Sequence, residues 1–142
     1  MIEVREQCEL GSDADTVWKQ IRDFPGFVEM LVESRDGARV EPSGEGIGML
    51  RTVTLGADTV VERLEELDDS ARRTSYSMPV TGPFPIAGYL ATITLAPLGG
   101  NRCALTWSGR FEPAGVAEEI AAAAVREVYT AGIDVLRVRF GS

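Results

Sequence analysis

Six strand-like segments in a row, joined by short turns and followed by one long helix, leave this chain few ways to fold. The strands are read from period-two alternation. MLRTVTL puts Met49, Arg51, Val53 and Leu55 on one face, and RRTSYSMPV aligns Thr74, Tyr76 and Met78. GYLATITLAP aligns Tyr89, Ala91, Ile93 and Leu95. Beyond the turn Leu98-Gly99-Gly100-Asn101, NRCALTWSGRFEP gathers Cys103, Leu105, Trp107 and Phe111. VESRDGARVE reads as a strand or a hairpin-like pair of edges, and PSGEGIG as loop. IEVREQCEL is a further strand at the start of the chain. After it, Ser12 or Asp13 is placed to cap a helix over DADTVWKQIRDF, which Pro25-Gly26 ends, and FVEML makes a second short helical turn or a lid. The last segment, from about Gly115 to Phe140, has helical periodicity. Hairpin-linked strands with a terminal helix predict an α+β fold in which a curved antiparallel sheet grips that helix.

Length and composition narrow the function classes. The 142 residues predict one domain, residues 1–142, able to bury roughly 68–70% of its unfolded surface without disulfides or metal. A net charge of −8 argues against nucleic acid, whose phosphates need Lys and Arg. No apolar run is long enough to span a bilayer, and MIEVREQCEL lacks the features of a signal peptide, so the expected location is cytoplasmic with no membrane insertion. The chain has no histidine, which removes His-based triads and the usual zinc sites; no metal or cofactor is expected. Cys8 and Cys103 sit in strand alternations and read as buried reduced thiols.

Two features point to a site. In the helix, the apolar arc holds Ala117, Ala121, Ala124, Val128, Ala131, Gly132 and Val135, flanked by Tyr129 and Leu136. Such small residues mean either a helix packed tightly on large sheet residues or a space kept for a ligand. The second feature is VVERLEELDDSARR, residues 60 to 73, half charged and suited to an exposed helix, but read as a strand because it opens with a β-branched pair and leads into the alternating TSYSM. That places Glu62 between Val60 and Leu64 on an apolar face, where a carboxylate is costly unless it is paired. A tight turn at Gly56-Ala57-Asp58 is expected to set Val53 opposite Glu62 and Arg51 diagonal to it.

The order TVWKQIRDF, ERLEELDD, GPFPIAGYLA, TWSGRFEP and then a long helix resembles the START/birch-allergen-like superfamily, and within it the bacterial polyketide cyclase/dehydrase and lipid-transport family. The resemblance covers nearly the whole chain and implies the helix-grip fold, with a seven-stranded sheet around the C-terminal helix. VERLEELDDSARR and the tyrosine of GYLAT are also similar to the plant abscisic-acid receptors, in which the equivalents of Glu62 and Tyr89 line the ligand cavity. The chain departs from the receptors by running from Leu55 through Gly56-Ala57-Asp58 to Thr59 without a gate loop. It also carries Glu33, in LVES, where the receptors place a cavity lysine. Both differences speak against abscisic acid, and against a carboxylate-bearing ligand generally.

The expected partner is a small, mostly apolar molecule of polyketide, lipid or isoprenoid type. Its expected walls are Arg51, Val53, Leu55, Val60, Glu62, Tyr76, Met78, Phe84, Ile86, Tyr89, Ala91, Trp107, Ala124, Val128 and Gly132. Glu62 could be a structural partner of Arg51, a polar anchor, or the general base of an aromatase/cyclase or dehydratase in which Tyr89 or Arg51 polarises a carbonyl. Tyr76 and Tyr89 are phenol handles or core aromatics. Phe84 and Ile86, in the stiff loop TGPFPIAG, could gate one end of the cavity. An exposed sheet edge or the Phe84 loop could pair two copies as a homodimer.

Overall fold

The computed structural model describes residues 1–142. Strand β1 (Ile2–Leu10) leads into helices α1 (Ala14–Arg22) and α2 (Phe24–Val32). Strands β2 (Arg39–Ser43), β3 (Leu50–Leu55), β4 (Asp58–Asp68), β5 (Arg73–Val80), β6 (Ile86–Gly99) and β7 (Arg102–Pro113) follow, and then helix α3 (Glu118–Phe140). The strands form one antiparallel sheet in the order β1-β7-β6-β5-β4-β3-β2, so the meander is intact and β1 pairs back onto β7. Register shifts in the β4–β5 and β6–β7 ladders are the kind of irregularity that bends a sheet. This is the helix-grip architecture. No helix is long and apolar enough to cross a membrane.

Local chemistry explains the elements. Asp13 caps α1 by accepting a 2.7 Å hydrogen bond from the Thr16 amide. Asp23 caps α2, its Oδ1 3.2 Å from the Gly26 amide. Pro25 therefore sits in the first turn of α2, where a missing N–H costs nothing, and Pro25-Gly26 opens α2 instead of closing α1. The span expected to be a strand from Val32 is helix end and turn as far as Ala38. Only Arg39 onward is strand, and it extends through Pro42-Ser43, which had read as loop. Pro42 is tolerated because β2 is an edge strand. Asp69 fastens α1 over the sheet by accepting 2.8 Å hydrogen bonds from Trp18 Nε1 and from Arg22 Nε.

The register of the β3–β4 hairpin corrects the expected one. Asp58 pairs with Leu55 as part of β4, leaving only Gly56-Ala57 in the loop, with Gly56 at φ 63°. Arg51 therefore lies directly opposite Glu62, and Val53 faces Val60.

The inward face of α3 also differs from the expected arc. Its fully or nearly buried positions are Ala121, Val125, Tyr129, Gly132, Ile133 and Leu136, so Tyr129 and Leu136 are central and not flanking. The rotation follows from Trp107. A Cβ at Gly132 would come within 2.6 Å of the Trp107 ring, so the helix seats its one bare position on the indole. Tyr129 then stacks on the same ring, 4.8 Å between centroids and 21° between planes. Its hydroxyl fills the space over Gly109, where a Cβ would lie 2.2 Å away.

The helix therefore interlocks with the sheet along one side. It contacts chiefly β1 and β7. Toward β3, β4 and β5 the sheet curls away, and α2 covers the opening.

Candidate functional site: an apolar cavity with a buried ion pair

Between α2, α3 and the β3–β6 part of the sheet lies a cavity of about 340 Å³, with 17 of its 22 lining residues hydrophobic. That is near the lower end of small-molecule sites. From β3 come Arg51, Val53 and Leu55, from β4 Val60 and Glu62, and from β5 Tyr76 and Met78. The next loop and β6 bring Phe84, Ile86 and Tyr89, while β7 brings Trp107 and α3 brings Val128 and Gly132.

Two residues expected in the wall lie outside it. Ala124 is half-buried on the same helix face as Val128 and Ala131 but a turn or more before them, and it is not part of the wall. Ala91 is fully buried beside Gly109, its cross-strand neighbour, under the tip of Tyr129. Phe84 is half-buried and Ile86 buried, so the loop's apolar residues are part of the wall.

Sequence reading missed one side of the cavity. Phe27, Val28, Leu31 and Val32 of α2 close it, and Ser34 and Arg35 lie at its exposed rim. The signal was present: Phe27, Val28 and Leu31 recur at helical spacing within FVEML, the segment read as a short helix or lid. Val125, Ala131 and Val135 of α3 also line it. Glu33 does not; it is exposed and lies 3.6 Å from Arg139.

The polar groups inside are few and ordered. Arg51 is 2% exposed and Glu62 8%. Arg51 donates from Nε to Glu62 Oε1 at 2.8 Å and from Nη1 to the Phe24 carbonyl at 2.6 Å. Its guanidinium lies 3.8 Å from the Phe24 ring centre and 4.8 Å from that of Tyr76. Arg51 thus ties the first residue of the covering helix to the sheet. Trp107 Nε1 donates to the Tyr76 hydroxyl at 3.1 Å, and the hydroxyls of Tyr89 and Tyr129 share a short hydrogen bond.

Burial pushes all three phenols well above their ordinary value. For Tyr76 the nearby negative charge of Glu62 adds to this, and for Tyr89 and Tyr129 the neighbouring phenols do. They are neutral hydrogen-bonding groups throughout the physiological range. Burial likewise raises the thiols of Cys8 and Cys103, which are free and buried.

The phenol shifts carry a stability consequence with a definite sign. Each raised phenol contributes its full share below its unfolded value, near pH 10, and loses it as pH rises further, because the unfolded chain then binds fewer protons than the native one. Urea unfolding should show stability little changed by these phenols from neutral pH to about 9.5 and falling above about 10. The native protein should develop less phenolate absorbance than the unfolded chain at the same pH. Full phenolate absorbance in the native state near pH 10 contradicts this.

The chain matches the family described as polyketide cyclase/dehydrase and lipid transport over residues 1–141. No curated protein matches it. Among solved structures it resembles the protein XoxI from Bacillus cereus at 26% identity and a TM-score of 0.86, covering 99% of this chain and 96% of that one. A protein from Thermobifida fusca is 27% identical with a TM-score of 0.82, over 99% of this chain and 94% of that one. Norcoclaurine synthase from Thalictrum flavum is 20% identical with a TM-score of 0.73, over 95% of this chain and 83% of that one, a likeness of fold alone. The helix-grip topology and the family match from end to end agree, and the chain belongs to the polyketide cyclase/dehydrase and lipid transport family.

Proposed function

We propose that this protein binds a small, mostly apolar molecule, of polyketide, lipid or isoprenoid type, in the cavity between the sheet and α3. The observation that carries the reading is the cavity itself. An apolar space of about 340 Å³ forfeits dispersion contacts when nothing fills it. A ligand restores them and contributes roughly 25 cal/mol for each Å² of apolar surface removed from water. Family membership supports ligand binding in general. The same fold in norcoclaurine synthase has been seen in complex with dopamine and hydroxybenzaldehyde. In this reading Glu62 is a polar anchor: Arg51 engages Oε1, while Oε2 takes no hydrogen bond from the protein and is accessible to a ligand hydroxyl.

The second reading is catalysis on a poly-β-keto chain. It draws on that same free carboxylate oxygen, placed to accept a proton from an enolisable carbon held in the cavity.

Thermal unfolding with decanoic acid, geraniol and a hydroxynaphthoquinone separates the two. A binder gains about 2.7 kcal/mol at a hundredfold excess over Kd with any ligand that fits, and converts none of them. Glu62→Gln then weakens hydroxyl-bearing ligands by up to about tenfold. If the protein is a cyclase, a poly-β-keto substrate is consumed by the wild type and not by Glu62→Gln, which still binds it. No stabilisation by any of the three, together with no small molecule retained in native mass spectrometry, rules out the binding reading.

A further inference from the structure

The hydrogen-bond arithmetic of the cavity's aromatic cluster leads further, and rests on the cavity being a ligand site. Trp107 Nε1 can only donate, so the Tyr76 oxygen is the acceptor in their contact. Tyr89 and Tyr129 share one hydrogen bond that either could donate. Tyr76 and Tyr89 lie side by side, ring centroids 6.1 Å apart, close enough for their hydroxyls to influence each other.

The four groups thus hold four hydrogens and make two mutual hydrogen bonds. Two hydrogens have no acceptor within the cluster, one of them that of Tyr76. If Tyr89 donated to Tyr129, the second free hydrogen would sit on Tyr129, which is 0% exposed and does not line the cavity. An orphaned buried donor is costly. The lower-energy arrangement has Tyr129 donating to Tyr89, which leaves one free hydrogen on Tyr89 and one on Tyr76, 6% and 4% exposed, both in the cavity wall.

We propose that the Tyr76 and Tyr89 hydroxyls form a two-donor site for one neutral carbonyl oxygen of the bound molecule. Trp107 and Tyr129 are positioning residues that turn those hydroxyl hydrogens toward the cavity. A carbonyl oxygen has two lone pairs and can take both hydrogens. Burial, together with the nearby Glu62 charge that Arg51 offsets in part at Tyr76, disfavours an anionic oxygen here as it disfavours ionisation of the phenols. The ligand class is therefore an aldehyde, ketone or ester with an apolar body.

The test compares acetophenone with its hydrocarbon isostere α-methylstyrene, which replaces C=O by C=CH₂, and with benzoate. Binding is followed by calorimetry and the acetophenone carbonyl stretch by infrared difference spectroscopy. In the wild type the bound stretch lies below its value in hexane, and benzoate binds more weakly than acetophenone. Tyr89→Phe, or Tyr76→Phe should the first variant fail to fold, weakens acetophenone about five- to tenfold and leaves α-methylstyrene within about twofold. Tyr129→Phe moves the stretch part of the way back toward hexane. A bound ketone with a hexane-like stretch, or equal losses for ketone and hydrocarbon, overturns the oxygen site while leaving the apolar cavity reading intact. If neither neutral probe binds, the oxygen site is overturned, and the cavity reading falls with it only when the three earlier probes and native mass spectrometry also find no ligand.

Discussion

Arg51→Met lowers the unfolding free energy by about 3 kcal/mol, and Arg51→Met/Glu62→Leu recovers most of that loss. The single change leaves Glu62 without its 2.8 Å partner at 8% exposure, and leaves the Phe24 carbonyl without the donor 2.6 Å away. Breaking one side of a buried pair costs roughly 3–5 kcal/mol, because the stranded charge keeps its desolvation penalty without compensation. The lower end applies here, since one carboxylate oxygen borders a cavity that water can reach. For a chain of this length 3 kcal/mol corresponds to about 10 °C in Tm. The double variant removes both charges, and replacement of a buried pair by apolar groups of similar size is often neutral. Denaturant unfolding of wild type, both single variants and the double variant gives the coupling directly. Should Arg51→Met match the wild type within about 0.5 kcal/mol, the pair contributes neither stability nor attachment of α2.

Trp107→Ala costs about 3–5 kcal/mol and opens the cavity. Trp107 is 2% exposed, tilts against Phe27 at 5.7 Å, stacks on Tyr129, and occupies the place a Cβ of Gly132 would need. Removing the indole empties the contact between sheet and helix that keeps α3 on one side of the concave face. It also strips Tyr76 of its donor. The variant should unfold at markedly lower urea concentration and, where still folded, take up bulkier apolar ligands than the wild type. Trp107→Phe keeps a ring and should fall between the two. A loss in Trp107→Ala below about 1 kcal/mol would mean that α3 does not depend on the indole for its seat.

Most of the architecture was legible in the chain because it rests on local periodicity. Alternation through Tyr76-Ser77-Met78 and Cys103-Ala104-Leu105-Thr106-Trp107 marks strands, and the Gly99-Gly100-Asn101 turn marks the long hairpin, whatever else surrounds them. The placement of Glu62 on an apolar face follows from the same period of two. Boundaries set by single residues were harder to read. Whether Asp58 belongs to a turn or to a strand shifts the pairing of a whole hairpin, and whether Pro25 closes one helix or opens the next depends on Asp23 acting as a cap. The covering helix α2 was visible as an apolar pattern, but nothing local says which element it will cover.

By itself, then, the order of residues determined the α+β class and the faces that individual strands present, because backbone periodicity and turn chemistry act over a few neighbours; the helix-grip class and the family were legible through the resemblance of its motifs. Only the tertiary structure decided that Arg51 meets Glu62 head-on, that Tyr129 stacks on Trp107, and that α3 touches one flank of the sheet and spares the other. Those outcomes depend on the sizes of side chains distant in sequence, most of all an indole facing a glycine, and on how far a bulged sheet bends before a helix can rest on it.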